Sequence, residues 1–318
     1  MVRLARRAVW MMAGWLVLAA PAWAQEKGAR ADDAAYAAES GEYTPPPRDR
    51  LWYSNASYVR VNPLGLVNLY RLGWRRRLST KDSVLFQDTY TYIGPSVTLT
   101  PAWGRGGLYA EAQLLAVLRV FAEVAGVGYF GTFDQVLTFP ADARYSDQTI
   151  EAQGERSAAT TGWVTTLGTT ARAKVGPIAV RSTFQGLRFD LSGGADGAYF
   201  YDQLSDRLAP DEGWLLMNDA DVLYLSGKLR LGLRHSWSDT ADGSGDTTDA
   251  ALAYHRLGPL FAWQFADHAP GKRFNQPTLF VLAQTWLQHP YRTGEEQSQA
   301  LPLIAVGFAF NGDLAVSP

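Results

Sequence analysis

The chain has 318 residues, a formal net charge of −2 at pH 7 and no cysteine. Without cysteine it has no disulfide framework, so its stability must come from packing and strand pairing. The slight excess of acidic residues disfavours nucleic-acid binding, which requires a basic surface. The sequence contains no Gly-rich phosphate loop, zinc-type cluster or dinucleotide motif, so we predict no cofactor and no metal.

The amino terminus is typical of a secretory signal peptide. Three arginines within the first seven residues precede an apolar run over residues 8–20, and Ala22 and Ala24 provide the small residues of a cleavage site. We therefore predict export, with residues 1–24 removed. A membrane anchor is the weaker alternative, because the run is shorter than the roughly 20 residues that a spanning helix needs.

Residues 25–61 are predicted to be a flexible periplasmic leader. Residues 25–50 mix Ala, Glu and Asp with three consecutive prolines and show no apolar periodicity, which is typical of a polar linker ending in a stiff polyproline stretch. A passive linker is the simplest interpretation. The alternative is a tail that plugs a barrel or contacts another envelope protein.

From residue 62 onward, alternating apolar runs are separated by Gly, Pro, Asp and Ser, which predicts strands and turns. Candidate strands lie near residues 64–76, 83–93, 96–103, 107–124, 126–138, 161–175, 178–191, 197–204, 214–237, 250–257, 259–267, 277–288 and 300–311. The count is 10 to 14, and we predict 12 strands over residues 62–311, with residues 312–318 as a tail, because barrels usually have an even number.

Three Gly-Pro dipeptides, at residues 94–95, 176–177 and 258–259, are spaced by 82 residues. Each follows an aliphatic residue, and we interpret each as a tight hairpin turn. The equal spacing suggests either a threefold repeat of four-strand units or coincidence.

Residues 107–125 contain many good helix formers, and a helix is the alternative there. The even positions from Leu108 to Val124 are all apolar, whereas odd positions hold Tyr109, Glu111 and Arg119. Period two fits this segment better than period 3.6, which favours a strand.

The longer connections are acidic, at residues 139–160, 202–213 and 238–249. We predict that they form the extracellular loops, with the short turns on the periplasmic side. The Asp-rich segment 239–249 has oxygen ligands that suit calcium. Its spacing departs from the EF-hand pattern, so a solvated loop is the preferred interpretation.

The clearest two-faced pattern covers residues 222–237. Leucines and Trp237 stand at odd positions, while Lys228, Arg230 and Arg234 stand at even ones. Because successive side chains of a strand point to opposite sides, one face needs an apolar surround and the other needs water or counter-charges. A transmembrane β-barrel supplies both.

The same face assignment predicts a basic inner wall. Its members are Arg172, Lys174, Arg181, Arg188, Lys228, Arg230 and Arg234, with Arg188 included through a phase slip at Gly186. Cations in a narrow, low-dielectric lumen stabilise anions, so the first hypothesis is a pore for small, preferably anionic solutes.

The alternative is a non-conducting barrel, filled by cations paired with acids such as Glu111 and Glu123, that anchors or docks an envelope protein complex. A pore needs unpaired cations, whereas an anchor should have paired arginines and bulky residues such as Trp286 across the lumen.

An enzyme is the third class and the least favoured. Some outer-membrane barrels of this size deacylate lipids with a His followed two residues later by a Ser, and that pattern is absent. The residue two positions after His235 is Trp237 instead of a serine. His235 stands at an odd position, which places it on the lipid side. We therefore predict no enzymatic activity.

The signal peptide, alternating strands, plentiful aromatic residues and turn-loop asymmetry make most of the chain resemble Gram-negative outer-membrane β-barrel proteins. The resemblance implies an all-β, closed antiparallel barrel in the bacterial outer membrane, in contact with lipid. Docking to other envelope proteins would use the acidic loops or residues 25–50. In this class the last strand usually ends on an aromatic residue. Ile304, Val306, Phe308 and Phe310 form the expected outward face, but eight residues follow Phe310.

Overall fold

A computed structural model of the chain describes residues 46–81, 83–86, 88–132, 138–139, 159–192, 199–241, 253–267, 269, 271–289 and 301–317. The predicted signal peptide, most of the predicted leader and the Asp-rich segment beyond Ala241 lie outside these residues. No helix in the described ranges is long and apolar enough to cross a membrane.

Twelve antiparallel strands form a closed barrel, which confirms the predicted fold class and strand number. They are β1 (Asp49–Val61), β2 (Gly65–Arg77), β3 (Tyr90–Leu99), β4 (Trp103–Leu115), β5 (Leu118–Phe130), β7 (Ala159–Val175), β8 (Ile178–Leu191), β11 (Trp214–Ser226), β12 (Leu229–Ala241), β13 (Tyr254–Gln264), β14 (Asn275–Gln288) and β15 (Leu303–Ser317). Each pairs with its neighbours in the chain, and β1 pairs with β15 to close the ring. Three short strands, β6 (Thr138–Phe139), β9 (Tyr199–Asp202) and β10 (Arg207–Pro210), form a separate sheet.

Burial alternates with period two along the barrel strands, so one face of each strand lines the interior and the other faces outward. The outward positions form an apolar belt that includes Val59, Leu66, Ile93, Leu108, Val124, Leu167, Val180, Val222, Leu233 and Leu257, all exposed. Ile304, Val306, Phe308 and Phe310 face outward as predicted. Such a belt is what lipid requires of a spanning barrel.

The two ends of the barrel differ in the length of their connections. At one end, here called the turn end, three hairpins close with two residues each, at 116–117, 176–177 and 227–228. The opposite end, here called the loop end, carries the connections that contain the predicted acidic loops. Short connections at 62–64 and 100–102 also lie at the loop end, and longer ones at 78–89 and 265–274 lie at the turn end. The predicted separation of short turns from longer connections therefore holds only in part.

The barrel extends beyond residues 62–311 on both sides. Strand β1 covers Asp49–Val61, which the sequence assigns to the leader, and β15 continues to Ser317, through the predicted tail. Strand β1 escapes detection because its outward face includes Asn55 and Ser57 while its inward face includes Trp52 and Tyr58, so the two faces show little contrast in polarity.

Two predicted single strands are hairpins. Residues 214–237 divide into β11 and β12 at the turn formed by Gly227 and Lys228. A two-residue turn pairs odd positions with even ones, as in Leu223 opposite Gly232. Leu223 therefore points inward in β11, contrary to prediction, while Leu233 points outward in β12.

Residues 107–124 likewise divide into β4 and β5, so the helical alternative is wrong. A bulge between Gln113 and Leu115 shifts the register by one residue. The shift cancels the change of parity at the turn, and for this reason the even positions stay outward on both strands.

Only one Gly-Pro dipeptide is a turn. Gly176 begins the β7–β8 turn with φ +56°, whereas Gly94 lies inside β3 and Gly258 inside β13. A Cβ on Gly94 would lie 2.2 Å from the Leu72 carbonyl oxygen, and one on Gly258 would lie 1.8 Å from that of Ala283. These two glycines are needed for close approach of neighbouring strands.

Candidate functional site

The interior of the barrel holds most of the buried charge and is the candidate site. Five of the seven predicted lumen cations lie at inward-facing strand positions, namely Arg172, Lys174, Arg181, Arg230 and Arg234. Arg172 donates from Nε to the Ala116 carbonyl oxygen at 2.6 Å, and its guanidinium lies 3.9 Å from the Asp88 carboxylate.

Arg188 and Lys228 lie elsewhere. Strand β8 pairs with β11 in one register from Ile178 to Arg188, so no phase slip occurs at Gly186. Arg188 is consequently exposed on the outer face. Lys228 occupies the exposed β11–β12 turn, where its ammonium donates to the Phe265 carbonyl oxygen at 3.2 Å. Neither side chain belongs to the inner wall.

The inner faces of β8, β11 and β12 carry a compact group of four charges, here called the ion cluster, formed by Arg181, Asp219, Asp221 and Arg234. Arg234 donates from Nε to Asp221 at 2.7 Å and lies 2.9 Å from Asp219. Arg181 donates from its Nε to the same Asp221 at 3.1 Å. Asp221 is 1% exposed, so the two guanidinium groups neutralise a fully buried carboxylate.

Many other interior arginines were missed by sequence reasoning. They are Arg50, Arg60, Arg71, Arg75, Arg105, Arg119, Arg207 and Arg256, and all are buried. Several have acidic partners: Arg105 lies 3.2 Å from Glu123, and Arg50 lies 3.3 Å from Asp313. Alternation with outward apolar residues was the available signal in β2, at Arg71 and Arg75.

Arg60 and Arg256 differ from these paired arginines. Arg60 is 6% exposed and donates to the carbonyl oxygens of Gln203 and Leu204, the second at 2.7 Å. Arg256 is 8% exposed and donates to the Tyr254 hydroxyl at 3.2 Å. Neither forms an ion pair with a carboxylate of the described residues, and the Nε atom of each has no hydrogen-bond partner among them.

The β9–β10 hairpin, which the sequence divides between a candidate strand at 197–204 and an acidic loop at 202–213, folds into the interior from the loop end. Arg207 is fully buried and donates to the hydroxyl of Ser238, an inward residue of β12, at 2.8 Å. Leu204, at its tip, packs against the inward apolar residues of the wall. The aromatic run Tyr199-Phe200-Tyr201, unusual for an exposed acidic loop, was the sequence signal for this burial.

Aromatic side chains cross the interior at two levels. Toward the turn end, Trp52, Tyr90, Tyr92, Tyr109 and Phe121 form one buried cluster. Toward the loop end, Trp286 packs edge-on against Tyr254 with ring centres 5.7 Å apart, and the Arg256 guanidinium lies 4.9 Å from the Trp286 ring centre. These clusters occupy the interior toward each end of the barrel.

The centre of the barrel contains a cavity of about 130 Å³ beneath the hairpin tip. Strands β14, β15, β1 and β2 give it an apolar side, here called the apolar wall, formed by Tyr58, Leu69, Phe280, Leu282, Leu303 and Ala305. The side supplied by β7, β8 and β11–β13 is mainly polar, with Thr166, Gln185, Asp219, Arg234 and Arg256.

The histidines do not assemble a nucleophilic site within the described residues. His235 faces outward, and its Nε2 lies 3.2 Å from Nδ1 of His255 on the neighbouring strand. His289 is buried and hydrogen-bonds the Asp206 carbonyl oxygen at 2.9 Å, whereas the nearby Ser205 hydroxyl donates to Asp202. No group of three or more potential metal ligands occurs in the described ranges.

No protein-family model matches the chain, and no curated protein matches it. Similar solved structures include the translocator domain of the autotransporter NalP from Neisseria meningitidis, at 8% identity and a TM-score of 0.38, covering 87% of this chain and 92% of that one. They also include Omp33 from Acinetobacter baumannii, at 8% identity, a TM-score of 0.33 and coverage of 84% and 99%. OmpF of Salmonella typhi, in complex with daunomycin, has 8% identity, a TM-score of 0.35 and coverage of 85% and 99%.

These similarities are too distant to indicate a substrate. The closed ring of twelve strands and its apolar outer belt identify the architecture on their own. The chain has the architecture of a Gram-negative outer-membrane β-barrel protein.

Proposed function

We propose that the chain is exported to the bacterial outer membrane and forms a narrow pore for small, preferably anionic solutes. The observation that carries the proposal is the pair of buried arginines, Arg60 and Arg256, that form no ion pair within 4 Å among the described residues, although Asp219 lies within electrostatic range of Arg256. An uncompensated cation in a low-dielectric interior lowers the energy of an anion beside it.

The energetic cost of this interior supports transport over a purely structural role. Buried ion pairs are often no more stabilising than well-packed apolar residues of similar volume. A barrel that only had to stay closed would therefore gain stability from an apolar filling. Ionisable residues within a membrane span typically mark a pathway for solutes or ions.

In this proposal the β9–β10 hairpin is the constriction. It pairs with the short β6 rather than with the barrel strands, and polar contacts such as that between Arg60 and Leu204 hold it in place. Its removal leaves every strand pair of the wall intact. We therefore expect the barrel to fold without it.

The test is the single-channel conductance and reversal potential of the refolded protein in planar bilayers under a salt gradient. The wild type should give small, anion-selective steps. Replacing residues 199–210 by a short Gly-Ser linker should raise the conductance severalfold, because the constriction is gone. Arg256→Glu should shift the reversal potential toward cation preference, whereas Arg188→Glu on the outer face should leave it unchanged.

The second candidate is a non-conducting barrel that anchors or docks an envelope complex. The ion pairing of Arg181 and Arg234 and the inward position of Trp286 favour it. A correctly folded barrel that stays silent, both as wild type and without the hairpin, would reject the pore and support the anchor. Its docking surfaces would be the acidic loops or residues 25–50.

A further inference from the structure

The central cavity is lined by both apolar and cationic side chains. Its apolar wall includes Phe280, Leu282 and Leu303, and guanidinium groups of Arg60 and Arg256 also line it. The strands of the apolar wall are contiguous in the barrel, in the order β14, β15, β1 and β2. The cavity therefore has a largely apolar side, to which Arg60 of β1 and Gln284 of β14 add polar groups, opposite a mainly polar side.

Several polar atoms around the cavity have no hydrogen-bond partner in the described structure. They are the Nε atoms of Arg60, Arg105 and Arg256, Arg105 Nη2, the Thr166 hydroxyl, Gln185 Oε1 and Asp219 Oδ1. All six residues are at least nine-tenths buried. A buried polar atom without a partner costs about 1–3 kcal/mol, so seven around one cavity indicate that a ligand or water occupies it.

The charges around the cavity select the sign of a ligand. Arg60, Arg105, Arg234 and Arg256 line it against only two carboxylates, Asp202 and Asp219. Asp219 already lies 2.9 Å from Arg234, and Arg105 is paired with Glu123. Arg60 and Arg256 then outnumber the remaining carboxylate, Asp202, so the lining has an excess of cations that favours an anion.

The volume limits the size of the ligand. A cavity of about 150 Å³ in a protein core holds one benzene molecule, and this partly open cavity has a volume of about 130 Å³. An ion such as chloride would leave the apolar wall without contacts. A chain of three or four carbons ending in a carboxylate would contact both sides.

We propose that the cavity is a binding site for a small amphipathic anion, a short-chain monocarboxylate, with its carboxylate at Arg60 and Arg256 and its hydrocarbon on the apolar wall. This inference rests on the proposed pore function and extends it by naming the class of solute that binds beneath the constriction. Binding itself does not depend on whether the barrel conducts.

The first test is calorimetric titration of the detergent-refolded barrel with butyrate. Butyramide, its uncharged isostere, and chloride are the comparison ligands. Butyrate should bind at least about tenfold more tightly than either, since charge-assisted hydrogen bonds contribute roughly 1.5–3 kcal/mol. Equal binding of butyrate and chloride would overturn the amphipathic site, and equal binding of butyrate and butyramide would overturn the role of the arginines.

Two variants locate the site. Arg256→Gln should weaken butyrate binding about tenfold and leave the butyramide affinity unchanged. Leu282→Trp should fill the apolar side and abolish the binding of both. Arg188→Gln, which removes an exposed arginine from the outer face, is the matched control and should bind like the wild type. Circular dichroism of each variant separates loss of binding from loss of fold.

The second test separates this inference from the proposed function. Butyrate, added at a concentration near the dissociation constant found by calorimetry, should reduce the chloride current through the wild type but not through Arg256→Gln. Binding without any current would retain the site and reject the pore. Current that butyrate does not affect, together with no calorimetric binding, would retain the pore and reject the site.

Discussion

The apolar wall and the ion cluster face the same interior and stabilise it in different ways. On the apolar wall, Tyr58, Phe280 and Leu282 belong to one contact cluster, in which each contributes through area removed from water. In the ion cluster, Asp221 is held by two guanidinium groups, and the loss of one member leaves buried charge less well compensated. Substitutions on the apolar wall should therefore lower stability in proportion to the apolar area they remove. Substitutions in the ion cluster should lower it by a large amount at once.

The largest effect is expected for Asp221→Ala. The substitution removes the carboxylate that Arg181 and Arg234 share, so we expect a loss of about 3–5 kcal/mol in the free energy of unfolding. Urea unfolding in detergent micelles, followed by tryptophan fluorescence, measures it. Asp190→Ala, on the exposed outer face, should change stability by less than about 0.5 kcal/mol. Equal stability of the two variants would contradict an energetic role for the ion cluster.

A smaller loss is expected for Leu282→Ala on the apolar wall. Large-to-small substitutions of buried leucine cost about 2–5 kcal/mol, and we expect the low end, because Leu282 already borders a cavity. The same unfolding experiment measures the change. Leu233→Ala removes an outward leucine that is 54% exposed and should cost less. A larger loss at Leu233 would mean that the detergent belt, rather than the interior, dominates stability.

The smallest effect is expected at the glycines that space the wall. Gly258→Ala places a Cβ against the backbone of β14, and overpacking of this kind costs about 1–3 kcal/mol. Gly106→Ala is the matched control, since a Cβ there meets no atom within 4 Å. The melting temperature should fall for Gly258→Ala and stay at the wild-type value for Gly106→Ala. A fall of the same size in both would point to strand propensity instead of close approach.

Period-two patterns predicted the presence of strands because lipid outside and a lined interior impose opposite demands on alternate residues. They could not predict whether the odd or the even positions face inward on the strand that follows a turn. The leucine alternation runs through Gly227 and Lys228 without interruption, yet the two-residue turn reverses the faces of β11 relative to β12. At β4–β5 a bulge cancels the reversal, and a single sequence gives no sign of it.

The candidate site was predicted in part. Arg172, Arg181 and Arg234 were placed inward because their strands are regular, whereas Arg188 was misplaced by a phase slip that the register excludes. The partners of these arginines depend on contacts between strands, as Asp221 shows by binding residues from β8 and β12. Inward folding of the β9–β10 hairpin is likewise a long-range choice that local residue preferences do not determine.

The closure of β1 on β15 has a consequence for the course of folding. Arg50 and Asp313, which join across this seam, are 263 residues apart in the chain. Contacts of such high sequence separation form slowly, so the seam cannot close before both ends of the chain are present. Until both edge strands meet, each offers unpaired backbone groups to any other strand nearby. The interval before closure is therefore the time at which this chain is most exposed to pairing with strands of other molecules.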